Sequence, residues 1–172
     1  RIALVLGGCR VQVEGRENLR NLDTAVLVAN HASYLDPLVL MAGLPIEFRF
    51  VAKRRLASYP LLGSIIRRVG HLTIERADLS QRMAGADQVV ETLRRGTSLF
   101  IFPEGTFVHT PGLLPFRLGA FRAAVEAGRP VVPIVIRGTR RVFPAGTVLL
   151  RPGRVKLSIG TPIEPEGTGW PE

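Results

Sequence analysis

His31 and Asp36, five residues apart, are the pair in this chain best placed to move a proton. They belong to Asn30-His31-Ala32-Ser33-Tyr34-Leu35-Asp36, which follows the apolar run 25–29 and precedes Pro37 and the apolar segment 38–44. On one continuous helix the two side chains would diverge by about 140°, at about 100° per residue. They meet only across a turn, and a strand handing over to a helix supplies one. There Asp36 can orient the imidazole and stabilise its protonated form, which makes His31 a candidate general base. The same residues also suit a plain helix start, with Asp36 as N-cap and Pro37 at the first helical position. In that case His31 has no task beyond a backbone contact.

A second stretch with chemical potential is Phe102-Pro103-Glu104-Gly105-Thr106. Pro103 blocks further strand pairing, and Gly105 lets the backbone approach a partner closely. Glu104 and Thr106 then stand at the C-terminal edge of a strand, where open α/β sheets bind ligands, although Pro, Glu and Gly equally suit an ordinary turn. Arg76, just past another strand, and Arg117, just before a helix, have the planar fork of donors that suits a phosphate, or are solvated surface charges. Cys9 is a lone cysteine and reads as a small buried apolar residue. His31, His71 and His109 are widely spaced and none sits in a ligand motif, so no metal is expected.

The elements that must hold these residues follow from periodicity. Strands are expected at 10–14, 25–29, 48–52, 71–74, 98–102, 131–136 and 155–159. Helices are expected at 36–43, 60–69, 79–95 and 119–127, with a long loop at 103–115. In the helix 79–95, Leu79, Met83, Ala86, Val90 and Leu93 form an apolar stripe, and Gly96 closes it. Strands alternating with helices indicate an α/β fold, a mixed and largely parallel sheet of about seven strands covered by helices. At 172 residues the chain makes one domain, 1–163, with a Pro/Gly-rich tail at 164–172.

Composition narrows the partners. The net charge is +9, and 48–74 has no acidic residue but carries Arg49, Lys53, Arg54, Arg55, Arg67 and Arg68. Such a stretch suits an anionic membrane surface, phosphorylated substrates or nucleic acid. With 6% aromatic residues base stacking is poorly provided for, and no nucleic-acid-binding motif is present, so no nucleic-acid partner is expected. No apolar run reaches the roughly 20 residues of a spanning helix. The loop residues 113–116 add an apolar contact for a lipid surface.

In their order the blocks NHASYLD, GHLTIER, FPEGT and VVPIVI resemble the glycerophospholipid acyltransferase family, which includes lysophosphatidate acyltransferases. The H-x4-D block is His31 to Asp36, the second block ends at Arg76, the third is 102–106, and the fourth is Val132-Pro133-Ile134. VEGRENL and FVAKRRL also look like this family, so the likeness runs from about Arg10 to Ile163. The resemblance implies the glycerolipid acyltransferase-like fold. It implies transfer of an acyl group from acyl-CoA or acyl carrier protein, as co-substrate, to a lysophospholipid hydroxyl, with His31 as base, Asp36 as its partner and no further cofactor. It further implies that Arg76, Glu104, Gly105 and Thr106 hold the acceptor's phosphate and glycerol, assisted by Lys53 and Arg117.

Two departures bear on the acceptor. Phe107 and Val108 stand where Arg and Ser commonly follow the third block, and Arg117 stands where Lys is common. Lysophosphatidate and bulkier lysophospholipids both stay open as acceptors. A thioester hydrolase on the same scaffold and a non-catalytic basic module bound to membranes or nucleic acid are the competing readings. The expected location is peripheral, on the cytoplasmic face of a membrane, with apolar anchoring helices expected upstream of Arg1.

Overall fold

The computed structural model describes residues 7–53, 71–74, 79–106, 108, 112–144, 147 and 149–165. The strands are β1 (Cys9–Glu14), β2 (Val26–Ala29), β3 (Arg49–Lys53), β4 (Leu72–Ile74), β5 (Leu99–Ile101), β6 (Val131–Arg137) and β7 (Gly153–Ile159). The helices among the described residues are α1 (Asp36–Gly43), α2 (Leu79–Arg94), α3 (Gly119–Ala127) and the single turn α4 (Thr139–Val142), besides a 3-10 turn at Arg16–Leu19. The expected helix at 60–69 lies outside the described residues. The stretch between β6 and β7, where no helix was expected, contains α4.

The seven strands form one sheet in the order β1-β7-β6-β2-β5-β3-β4. From β6 to β4 every neighbouring pair is parallel, whereas β7 runs antiparallel to β6 and parallel to β1. The fold is therefore a mixed, largely parallel α/β sheet, as the alternation of elements implied. β2 is central, with Val28 opposite both Ile101 and Pro133. Alternate residues of β2 face different cores, and all four are buried. Leu27 and Ala29 pack with Val39 and Leu40 of α1, Phe100, Ile134 and Leu157. Val26 and Val28 pack with Val89, Val90 and Leu93 of α2 and Ala120, Ala123 and Ala124 of α3. A strand enclosed on both faces must be apolar throughout, which is why 25–29 reads as an unbroken run rather than an alternation.

The α2 stripe is not the one that the 4, 3, 4, 3 spacing suggested. Met83 and Ala86 are exposed, and the buried line is Gly85, Val89 and Leu93, joined by Val90. The helix packs against α3 and the sheet through Val89, Val90 and Leu93. Periodicity identified the helix but not the rotation that its neighbours impose.

Strand connections decide where a site can form. After β2, α1 packs over β1 and β7 on one face of the sheet before the chain returns to β3, and after β5, α3 packs over β2 on the other face, since the two helices contribute to different cores. The chain therefore leaves the C-terminal ends of β2 and β5 toward opposite faces of the sheet, which opens a crevice between the two loops. A cleft of about 650 Å³ at the other edge of the sheet is lined by Met41, Ile46, Phe48, Arg49 and His71.

His71 in that cleft accepts the Phe50 backbone N–H at Nδ1, 3.2 Å away. Burial pushes its imidazole below the ordinary range, and the Arg49 guanidinium adds to the effect. An unfolded histidine titrates near pH ~6.5. The native state binds the proton more weakly, so His71's contribution is complete above about pH 6.5 and is lost as the pH falls through its lower native value. The melting temperature should therefore drop more between pH 7 and pH 5 in the wild type than in His71→Gln. Equal drops would exclude His71 as the source.

Candidate active site

The loop leaving β2 turns back on itself around one carboxylate. Asp36, the first residue of α1, has a fully buried side chain, and its Oδ2 accepts from His31 Nδ1 at 2.9 Å, Ala32 N at 2.6 Å and Ser33 N at 2.8 Å. Leu35 occupies the N-cap position without a side-chain cap bond, so Asp36 serves the loop and not the helix end. Its Oδ1 is buried and has no hydrogen-bond partner among the described residues. With Nδ1–H directed at Asp36, the lone pair of a neutral His31 is on Nε2, the tautomer that a general base requires.

Neighbouring strands fix this loop from both sides. After the β2–β6 ladder reaches Ala29 and Ile134, the Asn30 amide continues it, donating to Ile136 O at 3.0 Å and accepting Ile136 N–H at 2.8 Å. The main chain thus leaves the sheet while a side chain keeps it tied. From β5, Glu104 accepts His31 N–H at Oε1 and Leu114 N–H at Oε2, both at 2.8 Å. The Phe102 ring stacks under the imidazole, with centroids 4.0 Å apart and planes 14° from parallel. Ser33 Oγ donates to Phe143 O at 3.2 Å, joining the loop to the segment after α4.

These contacts give Glu104 a positional part beside the one expected of it. Only 4% exposed, it has both oxygens engaged by backbone donors, so it holds the His31 loop and the 103–118 loop together from beneath. Gly105 has φ 71°, and a Cβ there would stand 2.9 Å from Arg117 Nε. The Arg117 guanidinium therefore lies over the Gly105 backbone, while Arg117 N–H donates to Pro103 O at 2.9 Å. Thr106 is exposed beside it. Lys53 ends β3 at the same edge, although its side chain lies outside the description, as do Arg76 and Phe107 altogether.

A model of the acyltransferase family matches residues 10–137. The chain belongs to that family. It is 36% identical over 156 residues to a chloroplastic 1-acyl-sn-glycerol-3-phosphate acyltransferase of Arabidopsis thaliana, covering 90% of this chain and 44% of the relative. It is 32% identical over 167 residues to the mouse 1-acyl-sn-glycerol-3-phosphate acyltransferase alpha, covering 96% and 59%. The chain thus spans about half the length of these relatives. The 1-acyl-sn-glycerophosphate acyltransferase PlsC of Thermotoga maritima superposes with a TM-score of 0.80 at 30% identity, over 98% of this chain and 67% of that one.

In this acyltransferase domain, motif reasoning singled out His31, Asp36 and Glu104 but not the groups that lock them. Asn30 and Phe102 stand inside the quoted blocks, next to His31 and near Glu104, and that position was the available signal. Arg140, whose Nη2 donates to Val108 O at 3.1 Å, offered only its charge as a signal, because folding alone brings α4 beside the 103–118 loop.

The Glu104 clamp makes a stability prediction. Glu104→Ala leaves two partly buried N–H donors without acceptors, at about 1–3 kcal/mol each. Glu104→Gln keeps one acceptor oxygen and should lose about half as much. Urea unfolding of the three proteins checks this, and unchanged midpoints would remove the clamp.

Proposed function

We propose that this domain transfers a fatty acyl group from an acyl-CoA or acyl carrier protein thioester to the free hydroxyl of a lysophosphatidate-like lysophospholipid. The observation that carries the reading is the His31–Asp36 pair: a buried carboxylate 2.9 Å from Nδ1, at the mouth of the sheet's crevice. Family membership supports the reaction class, and the relatives named above support the acceptor class.

In the proposed mechanism the acceptor hydroxyl gives its proton to His31 Nε2 as its oxygen attacks the thioester carbonyl. Asp36 stabilises the imidazolium that forms. The tetrahedral intermediate collapses with expulsion of the thiolate, and the proton on His31 passes to that sulfur. No acyl-enzyme is required, and the buried Cys9 takes no part; burial pushes its thiol up, away from the thiolate form. Arg76 and Arg117 supply cationic partners for the phosphate, with Thr106 and Lys53 beside them. Glu104 acts through position, holding His31. Because the acceptor is a membrane lipid and the donor is water-borne, the reaction is placed at a membrane surface, on the cytoplasmic side.

Purified protein with labelled acyl-CoA and a lysophosphatidate acceptor tests the proposal. His31→Ala should abolish product. Asp36→Asn should lower kcat by about 10²–10⁴, because an amide oxygen can replace Oδ2 while the negative charge beside the imidazolium is lost. Near-normal turnover by folded His31→Ala, or release of free fatty acid independent of acceptor, would overturn the reading.

The acceptor head group has its own test. If Arg76 binds the phosphate through charge-assisted bonds, Arg76→Ala should raise the acceptor KM far more than the donor KM. Phe107 in place of an arginine predicts that kcat/KM for lysophosphatidate exceeds that for lysophosphatidylglycerol only modestly, and that Phe107→Arg widens the ratio. A strong wild-type preference that Phe107→Arg leaves unchanged would separate Phe107 from acceptor choice.

A further inference from the structure

Part of one sheet face is left bare by the described helices. The apolar cluster under α2 and α3 reaches β6 at Val131 and includes nothing of β7 or β1. Val11 and Val13 of β1, Val155 and Leu157 of β7 and Ile136 of β6 pack on the other face, with α1. Their neighbours along each strand therefore point to the bare face. These include Arg10, Gln12 and Glu14 of β1, Arg154 and Lys156 of β7, and Arg137 of β6.

The strand register sets like charges against each other there. Arg10 is directly opposite Arg154, and Lys156 is directly opposite Arg137. Arg154 is also the diagonal neighbour of Arg137. Like charges on neighbouring strands repel and cost stability. Glu14, the one acidic residue of these three strands, relieves Lys156, with Oε1 2.8 Å from Nζ. Arg10, Arg137 and Arg154 are exposed and have no carboxylate partner among the described residues.

The sheet thus holds three guanidinium groups side by side on a rigid base, at a cost that bound phosphates would remove. Their place ties them to the site. Arg137 follows Ile136, which the Asn30 amide grips, and His31 follows Asn30. From Arg137 the cations step away to Arg154 and Arg10, one strand each, roughly 5 Å per step. The trio spans roughly 10 Å by the same spacing, the scale of one nucleotide, whereas a protein partner takes about 800 Å² on each side. We propose that Arg10, Arg137 and Arg154 bind the phosphates of a coenzyme A thioester, whose pantetheine arm crosses the strand ends and brings the acyl group to His31. The choice of ligand rests on the acyl-transfer reading; the cationic face does not.

Calorimetric titration with coenzyme A tests the site without turnover, at about 0.1 M and 1 M salt, where the screening length falls from ~10 Å to ~3 Å. Wild type should bind coenzyme A, more weakly at the higher salt, and should bind 3′-dephospho-coenzyme A more weakly still. The double variant R10Q/R154Q should bind coenzyme A at least about tenfold more weakly. R16Q/R20Q makes the same change of net charge at exposed positions in and after the turn that follows β1, and should bind like wild type. Because R10Q/R154Q removes a repelling pair, its melting temperature should equal or exceed that of wild type, which separates lost binding from lost folding. In transfer assays the preference for acyl-CoA over acyl-pantetheine, which carries no phosphate, should shrink by about the same factor. Equal affinity of folded R10Q/R154Q and wild type for coenzyme A would overturn the proposal. So would an equal loss in R16Q/R20Q, or a wild type that ignores coenzyme A while R10Q/R154Q loses transfer from an acyl carrier protein. If no protein transfers an acyl group, yet R10Q/R154Q alone loses coenzyme A, the acyl-transfer reading falls and the phosphate site stands.

Discussion

The site depends on one oxygen atom. Asp36 Oδ2 receives an imidazole N–H and two consecutive backbone N–H groups, from His31, Ala32 and Ser33. The bonds that fold the loop are therefore the bonds that orient the ring, and the turn cannot form without placing His31. A buried, ionised carboxylate is costly unless donors surround it. Here the donors converge on one oxygen while the other has no partner among the described residues. The arrangement is directional, and it leaves a negative charge beside the ring on which the proposed reaction places a proton.

The rest of the fold serves to deliver that loop to an open crevice. β2 lies in the middle of the sheet with both faces buried, so its end is a rigid origin. Asn30 holds the departing chain to β6, and Glu104 holds it to the loop that follows β5. The two acidic residues have different tasks. Asp36 faces the imidazole, and Glu104 faces main-chain donors on two loops. Phe102 adds an apolar floor that keeps the imidazole plane fixed. The result is a histidine constrained from below and from both sides, with its remaining approach along an edge where no described exposed side chain is acidic.

Much of this was legible before folding was considered. The seven expected strands appear within about two residues of their places, because buried parallel strands are short apolar runs bounded by turn formers. The His31–Asp36 turn was inferable because a helix would part the two side chains. The α2 face was misassigned at Met83 and Ala86 because helical spacing is compatible with more than one rotation, and only the positions of α3 and the sheet select among them. The positional part of Glu104 was hidden for a similar reason, since a Glu in a turn can face outward or inward with the same local sequence.

Sequence by itself determined the α/β class, the strand-to-helix turn that carries His31, and membership of the acyltransferase family, all properties of local periodicity and short motifs. Tertiary structure alone decided the partners: Glu104 with His31 across 73 positions, and Asn30 with Ile136 across 106. It also decided that Arg10, Arg154 and Arg137, far apart in the chain, adjoin on one face of the sheet. Such pairings follow from strand order and crossover direction. Those are settled by how the faces of the sheet are covered, and no window of neighbouring residues records them.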